Sequence, residues 1–184
     1  MNDIDFESKS LFSIGRSLGR ICRWAGNGPC YFSVFQHSIV VALLLPCSLR
    51  LHGLLHDASE SWTADWVSLY KREDFRVQER DIAARLYGDL GLTQPTVEEH
   101  RLIKEADHKA LHAEVWTGCA VEALRTRYPD RDAEAERLTR EAIFTWPADQ
   151  LVLTDVAGHE FERLFQEYRH YDSDGLLETD LWAV

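Results

Sequence analysis

At 184 residues and 45% hydrophobic side chains, the chain is long enough for one domain with a buried core. A formal net charge of −11 excludes a broad nucleic-acid-binding surface. The longest apolar run, Ile39 to Leu45, falls far short of the ~20 residues that span a bilayer, so no membrane partner is expected. Cys22, Cys30, Cys47 and Cys119 form no CxxC pair, which predicts reduced core residues in a cytoplasmic protein. The polar, acidic opening MNDIDFESKS predicts no signal peptide.

In chain order, nearly every periodic segment predicts helix. Phe12, Ile14, Leu18, Ile21 and Cys22 recur at helical spacing, interrupted by Gly15 and Gly19. AGNGPC is a break. A helix from Ser33, as N-cap, to Leu45 stops at Pro46, and Leu49 to His56 forms a second buried segment. Trp62 to Arg72 reads as irregular. Phe75 to Leu90 is amphipathic and closes at Gly91. Thr96 to Trp116 is the longest helix, opened by the capping box Thr96-Val97-Glu98-Glu99. Charged and amphipathic helices follow over Asp130–Thr145 and Asp149–Tyr168. No strand pattern or repeat is visible. The expectation is an all-α bundle of about six to eight helices, with a single domain over residues 1–172 and a tail over 173–184.

The chemistry concentrates around His56-Asp57. This pair offers an imidazole nitrogen and a carboxylate oxygen to one point, inside an apolar helical segment where charge is costly without a partner. His37 lies on the preceding apolar helix, and Asp107 lies beside the apolar face of the longest helix. Two histidines and two carboxylates suit a borderline divalent ion such as Mn, Co, Fe or Zn. Each residue also has a plain structural reading: His37 as a core histidine bonded to a carbonyl, Asp107 as a partner of Lys104 or His108. His52, four residues before His56, is expected behind the ligands, and His108 and His112 as ordinary packing or surface histidines. Glu60, three residues past Asp57, is offset in a way that suits proton transfer rather than metal ligation. Arg23 suits a phosphate and Trp24 the wall of a sugar or base. Lys71 and Arg72 are loop cations, and Asp65 could accept from a sugar hydroxyl.

The order His37, His56-Asp57, Asp107 on helices resembles the HD-domain metal phosphohydrolase superfamily. RICRWAGNGPCYFSVFQHSIVVA followed by LHGLLHDASESWTADWVSLYK resembles the small HD-domain 5′-deoxynucleotidases. The similarity is to their compact phage-encoded branch, which includes dATP triphosphohydrolases of phages that replace adenine with 2-aminoadenine. The resemblance covers about Leu18 to Glu114. It implies metal ligation by His37, His56, Asp57 and Asp107, with one divalent ion (Co, Mn, Zn, Fe or Mg). It further implies proton handling by Glu60, recognition of the sugar 3′-hydroxyl by Asp65, and phosphate contacts from Arg23 and Lys71. Trp24 would crowd the 2′ position, and Gly26 would stand where some relatives limit base size. Two positions depart from the pattern: Ala64 replaces a glycine, and Trp66-Val67-Ser68 replaces a proline-rich run.

The implied function is metal-dependent hydrolysis of 2′-deoxynucleotides. The first expectation is dATP to deoxyadenosine and triphosphate, with dADP and dAMP as further substrates. The alternatives are a 5′-deoxynucleotidase specific for dNMPs and a non-catalytic nucleotide-binding module. The expected partner is a small-molecule deoxynucleotide, with no nucleic acid; a homo-oligomer is expected, in host cytoplasm if the protein is phage-encoded.

Overall fold

A computed structural model describes residues 9–66 and 71–174. The described residues form α-helices α1 (Leu11–Arg20), α2 (Val34–Leu43), α3 (Arg50–Leu55), α4 (Glu60–Thr63), α5 (Glu73–Asp89), α6 (Val97–Trp116), α7 (Ala133–Thr145), α8 (Ala148–Leu153) and α9 (Val156–Asp174). Extended pairing among them is a single bridge, Cys22 to Ser33. The architecture is the all-α bundle that the periodicity predicts.

Helix α2 is the axis. Every residue from Val34 to Ala42 is buried, so α2 has no solvent face and packs against α1, α3, α6 and α7. Its start needs local satisfaction, because a buried helix end leaves orphan N–H groups. Ser33 and Gln36 form a reciprocal capping box: the Gln36 amide N–H donates to Ser33 Oγ (3.1 Å), and the Ser33 N–H donates to Gln36 Oε1 (2.7 Å). The Gln36 side-chain amide then donates to the carbonyls of Ala142 and Trp146 and ties α2 to the end of α7.

Helix α6 begins at the expected capping box. The Glu99 N–H donates to Thr96 Oγ1 and the Thr96 N–H to Glu99 Oε2. It ends at Trp116, as expected. The structure corrects several other readings. Gly15 and Gly19 do not interrupt a helix; α1 runs through both, and they are where it presses on α9. The segment expected as one helix over Asp149–Tyr168 is two, α8 and α9, and α9 continues to Asp174. Ser173 and Asp174 therefore belong to that helix, while the rest of the expected tail, 175–184, lies outside the described residues. Trp62 and Thr63, read as irregular, belong to α4. Of the cysteines expected in the core, only Cys119 is buried; Cys22 and Cys30 are half-buried and Cys47 is exposed.

A β-carbon on Gly15 would overlap Phe161 Cβ far inside van der Waals contact and lie 2.6 Å from the Ala157 carbonyl oxygen. Backbone cannot yield cheaply there. Gly15→Ala is expected to destabilise the fold by ~1–3 kcal/mol through overpacking, despite alanine's better helix propensity. A chemical-denaturation midpoint equal to or above wild type would contradict this account of the α1–α9 contact.

Candidate functional site

Helices α2, α3 and α6 converge on one cluster. Close approach of α2 and α3 is possible because a β-carbon on Gly53 would sit 2.8 Å from Ala42 Cα. This brings the His37 and His56 rings to 5.2 Å between centroids. From α6, Asp107 reaches the same point. One ligand atom from each of His37, His56 and Asp107 lies within 4.8 Å of the others. Asp57 joins them: its Oδ2 is 3.0 Å from His56 Nε2 and 3.7 Å from His37 Nε2. The His37, His56 and Asp107 group could hold a metal ion; Asp57 lies beside it but is not within the same mutual distance.

The donor chemistry fits a cation. His56 Nδ1 lies 2.8 Å from the Gly53 carbonyl, which only an Nδ1–H can satisfy. When that ring is neutral, the bare lone pair of Nε2 faces Asp57 Oδ2 and Asp107 Oδ1, at 3.0 and 3.9 Å. That buried Nε2 makes no hydrogen bond among the described residues. A lone pair facing two carboxylates is repulsive unless a proton or a metal ion stands between them. His37 is arranged the same way: Nδ1 is 2.6 Å from Glu114 Oε1, and Nε2 is 3.2 Å from Asp107 Oδ1. Imidazoles that donate one nitrogen to a carboxylate or carbonyl and aim the other inward are the usual form of metal-ligating histidine.

Glu114 is the residue that the sequence reading missed. It has no exposed surface, and it accepts from His37 Nδ1, Arg23 Nε (2.9 Å) and Trp24 Nε1 (2.7 Å). A signal existed: Ile103, Asp107, Ala110 and Glu114 follow the 4-3-4 spacing of one helix stripe, so Glu114 shares the inward face of Asp107.

The other expected residues lie around this cluster. Arg23 is buried; besides Glu114, its Nη1 lies 3.9 Å from Asp57 and 4.0 Å from Asp65. Trp24 stands edge-on to Tyr128. Trp24 and Ala25 take left-handed backbone angles, φ 60° and 51°, and Gly26 follows at φ 73°. Gly26 is exposed, with open space where a β-carbon would be. Glu60 is 3% exposed, not a surface charge, and its Oε2 has no hydrogen-bond partner among the described residues. Lys71 bonds to Glu79 (2.8 Å) and lies 3.4 Å from Glu60. Arg72 is exposed and pairs with Asp74. Lys104 lies 3.0 Å from Asp107 Oδ2. His52 stacks on Tyr87 of α5 (3.0 Å from Nδ1 to the hydroxyl), which makes it a packing residue of α3. His108 and His112 stack on the outer side of α6. Val67 and Ser68 lie outside the described residues.

Charge sets the protonation pattern. Burial, then the Asp57 and Asp65 charges, raise the Glu60 carboxyl well above its ordinary value, against Lys71 and Arg23. Burial opposes ionisation of Asp57 too, but the neighbouring His56 and His37 outweigh it and hold that carboxyl low. Burial and Arg23 disfavour a charged His37, yet Glu114 and Asp107 overcome both and raise the ring to about 9.

No family model matches the chain. Over 81 residues it is 35% identical to the uncharacterized protein YfdR of Escherichia coli K12, a segment that is 43% of this chain and 46% of that protein. The chain thus spans about half the length of this curated relative. No helix among the described residues is long and apolar enough to cross a membrane.

Two predictions follow from the site. In the metal-free chain, the charged His37 ring stabilises fully below about 6.5, and that contribution is lost as pH rises through about 9. An incoming ion must displace this proton, so metal affinity should rise roughly tenfold per pH unit above neutrality, up to about 9. Calorimetry in buffers of different ionisation enthalpy should register close to one proton released per ion at neutral pH; none released would refute the coupling. The second concerns Ala64, held at φ 64°, ψ 166°, a region occupied almost solely by glycine. Relief of that strain, of order 1–3 kcal/mol, should exceed the entropic cost of glycine. Ala64→Gly should therefore raise the melting temperature by roughly 2–4 °C per kcal/mol gained.

Proposed function

We propose that this chain is an HD-domain, metal-dependent phosphohydrolase of 2′-deoxynucleotides, converting dATP and water to deoxyadenosine and triphosphate. The observation that carries this reading is the convergence of His37, His56 and Asp107, with Asp57 against both histidines, beside a buried Glu60 whose carboxyl is raised well above its ordinary value. A divalent ion, when bound, polarises a phosphoryl oxygen and acidifies a water molecule.

The protein groups supply the rest. Glu60 Oε2 holds a proton for the departing 5′-oxygen, because no neighbouring donor occupies that atom. Arg23 is fixed by its Nε to Glu114, so Nη1 stays near Asp57 and Asp65, where it can meet a phosphate oxygen. Trp24 is tethered through its indole N–H, which leaves a ring face to exclude a 2′-hydroxyl. Asp65 accepts from the 3′-hydroxyl. Lys71 neutralises phosphate charge once it exchanges Glu79 for substrate.

One observation favours a second reading, a 5′-deoxynucleotidase of dNMPs. Lys71 and Arg72 are both engaged by carboxylates, Glu79 and Asp74, which leaves little uncommitted positive charge for a triphosphate of roughly −4.

Product analysis on protein loaded with Mn, Co, Zn or Mg separates the readings. Deoxyadenosine and triphosphate from dATP support the first, whereas turnover of dAMP but not dATP selects the second. No turnover of any deoxynucleotide with any of these ions defeats both. Glu60→Gln should retain metal and lose ~10²–10⁴-fold in kcat. Activity of wild type should fall as pH rises past the elevated Glu60 value, since the acid form is the proton donor.

A further inference from the structure

We propose that Glu114 is a positioning residue: one buried carboxylate fixes both the metal-facing nitrogen of His37 and the placement of the Arg23–Trp24 pair. The inference rests on the metal reading of the His37–His56–Asp107 group.

Glu114 Oε1 faces His37 Nδ1, and Oε2 takes both Arg23 Nε–H and Trp24 Nε1–H. An ionised carboxylate can only accept, so it demands a proton on Nδ1. The neutral imidazole is then bare at Nε2, the atom turned toward Asp107 and Asp57. The other oxygen holds Arg23 and Trp24 from the same rigid group. Trp24 and Ala25 sit in a left-handed turn that their side chains disfavour, so the Trp24 bond to Glu114 also opposes relaxation of that turn. A structural role alone would require only that Arg23 find a counter-charge.

Glutamine at this position separates the roles. Its single oxygen is claimed by two N–H donors, Arg23 and Trp24. Its NH2 group must then turn to His37 and donate to Nδ1. That forces the ring proton onto Nε2, where an ion would bind, while the Arg23–Trp24 arm keeps its acceptor.

The test is calorimetric titration of wild type and Glu114→Gln with Mn and Zn, with ring 15N NMR of His37 in the Zn-loaded forms. Glu114→Gln should bind each ion 10–100-fold more weakly, the usual effect of losing a ligand's carboxylate partner. The wild-type ring should be protonated at Nδ1 and bound through Nε2. If activity is present, KM for nucleotide at saturating metal should stay within about threefold while the metal requirement rises, a split that general destabilisation would not produce. Loss of a charge beside buried Arg23 could prevent folding, so Arg23→Met and Arg23→Met/Glu114→Leu, in which leucine offers His37 Nδ1 no acceptor, form a second pair. The single variant should keep metal affinity and the double should lose it. Metal affinity within threefold of the matched parent in either comparison overturns the proposal, as does an Nε2-protonated ring in wild type. Wild type that binds the ions with these dependences but hydrolyses no nucleotide defeats the phosphohydrolase reading and leaves the role of Glu114 standing. Wild type that binds no divalent ion defeats both.

Discussion

Burial of the Glu114 charge is the constraint on which the site depends. A carboxylate with no solvent contact is tolerable only when its oxygens are filled by donors, and here donors from two parts of the chain meet an acceptor from a third. Arg23 and Trp24 come from the turn after α1, His37 from the middle of α2, and the acceptor from α6. Removing one member of such a buried set typically costs several kcal/mol, because the others are left charged or unpaired. The same bonds that make the cluster tolerable therefore fix where the Arg23 side chain and the His37 ring stand.

The remaining charges are organised around that anchor. Asp57 and Asp107 crowd the inward nitrogens of both histidines, and Glu60 and Asp65 stand nearby. Negative groups at this density repel one another. Against burial and Arg23, Glu114 and Asp107 raise the His37 ring to about 9; burial, then Asp57 and Asp65, raise the Glu60 carboxyl well above its ordinary value; and Arg23, Lys71 and Lys104 lie against the acidic groups. A divalent ion would satisfy the same demand with one centre.

Backbone strain gathers in the same region. Trp24, Ala25 and Ala64 are the non-glycine residues at positive φ among those described, and they flank Arg23 and Asp65. Strain of this kind persists only where the surroundings over-determine the conformation. For Trp24 the surroundings are evident: its N–H is bound by Glu114 and its edge packs on Tyr128. Next to these tight points the fold is held by helix contacts of ordinary kind, with α1 pressed on α9 and α2 enclosed on every side.

Much of this was legible in the amino-acid sequence because it depends on local periodicity and local chemistry. The apolar spacing determined that the chain is helical, and Ser33 and Thr96 marked helix starts through caps that act within one turn. The residues His37, His56, Asp57, Glu60 and Asp107 stood out because charged and ligating groups in apolar helices need partners. Tertiary structure decided what those partners are. Glu114 was passed over because a carboxylate on a helix is ordinarily solvated, and only the packing of α6 on α2 and the Arg23 turn removes it from water. Gly15 looked like an interruption because the close approach of α9, over a hundred residues later, is not encoded locally. His52 shares a helix face with His56, yet the position of α5 gave it Tyr87 instead. Spacing along one helix is set by its own 3.6-residue turn, but which groups lose water and meet is set by elements distant in sequence.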